Sequence, residues 1–281
     1  MFQGFNLKTT ESLECLLANK NSYTNILEQN KKAVYKNIES HILNGTVLDA
    51  ESIMNDWFPE SDDIHVFISH SHKDIKLAEK LANWLYEQFN IKSFLDSHIW
   101  NYSNDLLKIL DDKYAKNITG ETYIYEIRNE TTSHVHMMLS SALNKMIDNC
   151  ETLFFLNTEN AIENNTLSTN VENERTASPW IMSELQTSSL IRRKQNINRK
   201  ILVAEDFRDS DELEFSLIQK SAKFEVSYPV KMQHLTNIDL LDLFYFASLA
   251  KNHDGYHALT FLYNEHNGCK FYTHETNESI K

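Results

Sequence analysis

The sequence predicts an α/β chain: a parallel sheet with helices on both faces. Three observations carry this. Short runs that are apolar on both faces, "IHVFI" (64–68), "TLFFLN" (152–157) and "KILVAE" (200–205), alternate with longer amphipathic stretches across 63–206. A strand apolar at every position has to be covered on both sides, and strands separated by helices pair in parallel. Only 5 Gly and 3 Pro in 281 residues also leave few tight turns and much regular helix.

Taken in order, residues 1–58 read as a helical N-terminal segment. "TTESLECLLANK" and "SYTNILEQNKKAVYKNIESHILNG" carry apolar residues at helical spacing, and the "NG" at 44–45 stops the second. "WFPESDD" (57–63) links this segment to the alternating unit, 63–206. There "IHVFI" is the first strand. Residues 73–89 follow as a helix with Ile75, Ala78, Leu81 or Ala82, Leu85 and Phe89 on one face. "IKSFL" (91–95) is the second strand. A polar and aromatic insertion, 97–130, holds a short helix at 103–116. A helix over 133–149 leads into "TLFFLN", and 158–177 is a long exposed loop. Residues 178–193 form a helix with Ser178 as N-cap and Pro179 in its first turn. The C-terminal extension, 207–281, mixes helices (236–251, 255–265) with short extended pieces and packs on the central unit.

A hydrophobic share of 41% and an aromatic share of 11% suffice for a substantial core. A net charge of −13 disfavours binding to nucleic acid, which needs a positive surface. Cys15, Cys150 and Cys269 lie far apart and form no CxxC pair, so neither a disulfide framework nor a metal site is expected. The start has no basic region followed by an apolar core, and the longest apolar run, 238–250, is too short to span a bilayer. A cytoplasmic protein without membrane contact is the expectation.

In an open parallel sheet, ligands bind beyond the carboxyl ends of the strands. "DIHVFISHSHKD" (63–74) turns polar at that end, placing Ser69, His70, Ser71 and His72 where a ligand lies. His70 and His72 can donate to a pyrophosphate or ribose without a permanent charge. Alternatively the stretch is a plain turn capped by Ser71 with solvated histidines. In "SPWIMSE", Trp180 and Glu184 are four apart and share a helix face. The indole offers a flat ring a packing surface and partly desolvates a carboxylate at the surface edge; the plainer alternative is a half-buried Trp beside a solvated Glu.

With "FLD" (94–96) after the second strand, these stretches together resemble a TIR (Toll/interleukin receptor) domain of the bacterial type, across about half the chain. The resemblance implies a flavodoxin-like sheet and cleavage of NAD at the nicotinamide–ribose bond, with NAD as substrate and no separate cofactor. It places the family's catalytic glutamate at Glu184. The chain departs from the family in having His70 and His72 where an aromatic and a basic residue often stand, and in a long connection after "FLD". The flanking segments suggest an antiphage defence enzyme of the Thoeris kind. Such an enzyme depletes NAD or makes an ADP-ribose-derived signal, cyclic or not, for a partner effector protein, after a phage-derived trigger and as a homo-oligomer. Two alternatives stay open: a non-catalytic TIR interaction module, and a nucleoside deoxyribosyltransferase-like enzyme.

Further candidates are Asp96 and Trp100, which line the same cleft, and Arg128, which meets a pyrophosphate while Thr132 and Ser133 cap the following helix or donate to phosphate. For Arg128 an ordinary solvated side chain is the alternative, and for Trp100 plain packing under the insertion.

Overall fold

The computed structural model describes residues 1–8, 22–31, 38–44, 47–58, 63–163, 174–193 and 226–267. In chain order its strands are β1 (Gln3–Lys8), β2 (Ile42–Asn44), β3 (Val47–Leu48), β4 (Val66–Ser69), β5 (Ser93–Leu95), β6 (Thr152–Asn157), β7 (Arg175–Thr176), β8 (Tyr228–Pro229) and β9 (Thr236–Ile238). Its helices are α1 (Ser22–Lys31), α2 (Ala50–Trp57), α3 (Ile75–Phe89), α4 (Asp96–Leu110), α5 (Tyr125–Asn149), α6 (Pro179–Leu190), α7 (Leu240–Leu249) and α8 (Gly255–Asn267). A five-stranded sheet, order β5-β4-β6-β1-β9, is parallel throughout. The fold is therefore α/β, and the two strands that anchor the sequence reading, β4 and β6, lie side by side with Phe67 opposite Leu153.

Side-chain alternation along the strands builds a core on each face. Phe67, Leu153 and Phe155 point into one, which is closed by α2, α4, α5 and α6. Val66, Ile68, Phe154 and Leu156 point into the other, with α3, α7 and α8 over them. All four apolar residues of β6 are fully buried, each contributing about 1.5–3 kcal/mol of transfer free energy. Asn90, left-handed at φ 50°, ends α3 with its N–H bonded back to Leu85 and Tyr86 carbonyls.

The flanks depart from the sequence reading. Residues 3–8, expected inside a helical segment, form a strand between β6 and β9. Phe5 and Leu7 fill the core shared with Phe154 and Leu156. Gly4 leaves room for Leu235, whose Cδ2 would lie 2.4 Å from an added Cβ. The polar Gln3 and Asn6 donate across the sheet to Thr236 Oγ1 and Asn237 Oδ1, each at 2.7 Å. These glycine and polar positions interrupt the apolar run that announces a strand. The sheet thus takes β1 and β9 from outside 63–206. The expected strand at 200–205 lies outside the described residues, and β1 stands beside β6. The helix expected over 236–251 also divides: 236–238 is β9, then Asp239 and Asp242 form a capping box that starts α7.

The insertion 97–130 is more helical than expected. α4 runs on through a π turn, Asp111–Ala115, and α5 begins at Tyr125 rather than near 133. Thr132 and Ser133, expected as caps of this helix, lie inside it instead: Ser133 Oγ bonds back to the Asn129 carbonyl at 2.8 Å, and the neighbouring Thr131 Oγ1 donates to Asp111. Of the loop 158–177, the described ends are anchored: Glu163 N–H bonds to the Arg175 carbonyl, and β7 pairs antiparallel with β8. Among the described residues no helix is long and apolar enough to cross a membrane.

Candidate functional site

The chain reverses direction across the sheet between β4 and β6. From β4 it passes through α3, on one face, to β5; from β6 it continues to α6, on the other face. Such a switch point opens a crevice at the carboxyl ends of the two strands. Ser69 is the last residue of β4 and Glu184 lies in the second turn of α6. Ser69 Oγ donates to Glu184 Oε2 at 2.6 Å, joining residues 115 positions apart. The start of α6 is fixed as expected, with Ser178 Oγ accepting from the Ile181 N–H at 3.3 Å and Pro179 following.

Asp96, the first residue of α4, brings a second carboxyl to Glu184. Its Oδ1 accepts from the Ser97 N–H at 2.7 Å and lies 3.1 Å from His70 Nδ1. That nitrogen is also 3.0 Å from the Ile68 carbonyl, which only accepts, so the network assigns the ring proton to Nδ1. The other ring nitrogen meets Ser97 Oγ at 3.0 Å. Ser69, His70, Asp96, Ser97 and Glu184 are all buried. Five polar side chains thus form one enclosed cluster at the ends of β4 and β5.

Glu184 is only 2% exposed, so it is neither a solvated carboxylate nor one at the surface edge. Burial pushes its carboxyl well above the usual carboxylate range, and the negative charge of Asp96 pushes the same way, while the Ser69 hydroxyl opposes both. Its Oε1 has no hydrogen-bond donor. Neither carboxylate owns a donor, so their contact becomes a hydrogen bond only when one of them carries a proton.

The remaining candidates divide. Trp180 is half-buried one helical turn before Glu184, and its ring meets the edge of His136 on α5 at 5.9 Å. Ser71 precedes the 3-10 turn His72–Asp74; its carbonyl accepts from the Asp74 N–H at 2.8 Å, and its side chain makes no capping bond. His72 is exposed, so only one of the two histidines enters the cluster. Arg128 is occupied elsewhere: its Nε donates to the buried Asp111 at 3.1 Å and its guanidinium lies over the Tyr123 ring. The side chain of Trp100, within α4, lies outside the described residues.

Two contributions were missed. Ser97 locks His70 from behind, and its only sequence signal is its place directly after "FLD". Asp74 ties the turn after β4 to the loop after β6, accepting from Thr158 Oγ1 at 2.5 Å and Asn160 Nδ2 at 2.7 Å. Among the described residues no group of three or more His, Cys, Asp or Glu is placed to hold a metal ion. Comparisons with protein-family models, curated proteins and solved structures find no match for this chain.

Proposed function

We propose that the chain is a TIR-like enzyme that cleaves the nicotinamide–ribose bond of NAD, with Glu184 as the catalytic carboxylate. The observation that carries the reading is the Ser69–Glu184 hydrogen bond at the switch point: it joins two of the three stretches on which the family resemblance rests. Nicotinamide departs as a neutral base and leaves positive charge on the ribose. A carboxylate beside that carbon stabilises the charge, as in glycoside hydrolysis. Ser69 orients Glu184, and Trp180, one turn away on the same helix, offers a ring for the nicotinamide to pack on. Capture of the ribosyl carbon by water gives ADP-ribose, and capture by an internal nucleophile gives a cyclic isomer. In antiphage defence either route depletes NAD or supplies a nucleotide signal to an effector protein.

The test is incubation of the pure protein with NAD, with and without extract of phage-infected cells, and identification of products by mass spectrometry. Glu184→Gln is expected to lower turnover by about two orders of magnitude or more, the usual effect of removing one key electrostatic stabiliser. Wild-type turnover in Glu184→Gln removes the catalytic assignment. Wild type that leaves NAD intact under every trigger turns the reading to a non-catalytic interaction module.

A further inference from the structure

We propose that Thr158 and Asn160 form a subsite for the pyrophosphate of the dinucleotide, and that the Asp74 carboxylate occupies it at rest as an internal competitor. The inference rests on the glycohydrolase reading and deepens it.

The donors come from the loop that follows β6. Thr158 Oγ1 donates to Asp74 Oδ2 at 2.5 Å, and Asn160 Nδ2 donates to Asp74 Oδ1 at 2.7 Å. Two side chains thus converge on one pair of anionic oxygens, an arrangement that serves a phosphate as well as a carboxylate. The loop holds them in place. Thr158 Oγ1 accepts from the Asn160 and Ala161 N–H groups at 3.2 and 3.1 Å, so its one proton is aimed outward. The Thr158 carbonyl accepts from the Ala161 and Ile162 N–H groups, and both of those residues are buried in the core that α6 helps to close. The carboxylate comes from a different part of the chain, 84 positions earlier. It stands at the head of α3 and makes no capping bond there. Once displaced, its charge stays favourable beside the N-terminal end of that helix.

The place suits the phosphates of a ligand whose ribosyl carbon meets Glu184. Ser69 pairs with Phe155 across β4 and β6, and Thr158 lies just past the end of β6. The subsite is therefore one strand spacing, about 4.8 Å, to the side of the Ser69–Glu184 bond and within about 10 Å of it along the strands. Thr158 and Asp74 are half-buried and Asn160 is exposed, so an anion can enter from solvent. The charged sequence neighbours, Lys73 beside Asp74 and Glu159 between the donors, are exposed and opposite in sign. Deeper in, Glu184 is buried and its Oε1 has no donor among the described residues, which leaves an acceptor for a ligand to satisfy. An entering diphosphate takes over both donors and Asp74 withdraws; only hydrogen bonds change. A nucleoside without phosphates cannot displace the carboxylate, so the competitor also selects against short ligands.

The experiment is calorimetric titration of the full chain with inorganic pyrophosphate and with ADP-ribose at fixed ionic strength. Removing the competitor raises the fraction of protein competent to bind. Asp74→Ala is therefore expected to bind both probes about tenfold more tightly than wild type, or better. Thr158→Val breaks the same hydrogen bond but removes a donor, so it is expected to bring no gain. In the double variant Asp74→Ala, Thr158→Val the gain is expected to be lost. Should Asp74→Ala not fold, Asp74→Ser carries the same test. If Thr158→Val tightens binding as much as Asp74→Ala does, the contact only closes the crevice and the subsite is overturned. Asp74→Ala that binds neither probe, or that binds ADP-ribose no better than wild type, also overturns it and leaves the glycohydrolase reading standing. Opposite effects of the two substitutions on pyrophosphate, in a protein that leaves NAD intact under every trigger, keep the subsite and remove that reading.

Discussion

Replacing Glu184 by Gln is expected to raise the stability of the protein while removing the proposed chemistry. Gln has nearly the same shape and keeps an oxygen for the Ser69 hydroxyl. Its amide also gives Asp96 the donor that two facing carboxylates lack. A hydrogen bond to a charged group contributes about 1.5–3 kcal/mol, part of which is offset by burying the amide, so the net gain is about 1–2 kcal/mol. For a chain of this size that corresponds to a rise in Tm of about 3–6 °C. The gain depends on pH in a definite direction. In the unfolded chain Glu184 ionises near its ordinary value, about 4.3. In the folded protein, burial and Asp96 hold its proton to higher pH. The folded state therefore binds more protons above the ordinary value, and wild-type stability falls as pH rises through that window. Gln has no such dependence, so its advantage is small at pH 5 and larger at pH 8. Thermal melts of both proteins at the two pH values, followed by circular dichroism, measure this. A variant that melts below wild type at pH 8, or whose advantage shrinks as pH rises, refutes the reasoning.

Two further outcomes follow from the same structure. His70→Ala is expected to cost about 1–3 kcal/mol in urea unfolding, because it strips Asp96 and Ser97 of a partner in a buried cluster, whereas the exposed His72→Ala should stay within about 0.5 kcal/mol of wild type. Burial lowers the His65 pKa to about 4; the ring packs on Tyr256 at 4.4 Å and its Nδ1 accepts from the Lys92 N–H. The unfolded chain takes up this proton near pH 6.5 while the folded one refuses it until about pH 4. Stability should thus fall as pH is lowered between those values, by about 1.4 kcal/mol per pH unit. Urea melts of wild type and His65→Phe should diverge in slope there, and parallel slopes would contradict the assignment.

The sheet was legible at the unbroken apolar runs "IHVFI" and "TLFFLN", which became the neighbouring parallel strands β4 and β6. "TLFFLN" could only be a strand covered on both faces, and β6 has the expected bounds. Ser178 and Pro179 announced α6 and so placed Trp180 and Glu184 on one face. Burial of Glu184 was not legible, because a single Glu in a helix of mixed polarity carries no mark of what packs over it. That depends on Asp96 and Ser69, brought in from 88 and 115 positions away by the chain fold. β1 escaped notice for a different reason. Its Gln3, Gly4 and Asn6 face β9 and Leu235, residues more than 200 positions later, so local polarity argued against a strand whose partners lie far along the chain. Thr132 and Ser133 suggested a helix cap but lie inside α5, because helix-start chemistry and mid-helix side-chain bonding use the same residue types.

The place of β1 also governs the order in which the molecule can be completed. Its two edges are closed by β6 and by β9, and the Gln3–Thr236 bond spans 233 positions. Closing so long a loop is slow, and no local contact substitutes for it. During synthesis the first strand has no sheet to join until β6 has emerged, and one edge then stays unpaired until 236–238 arrive. An open edge beside a half-covered apolar face is a template for wrong pairing. The same topology sets how the chain can be dissected: a fragment cut to 63–206 forfeits two of the five strands, together with the α7 and α8 cover over Phe154 and Leu156.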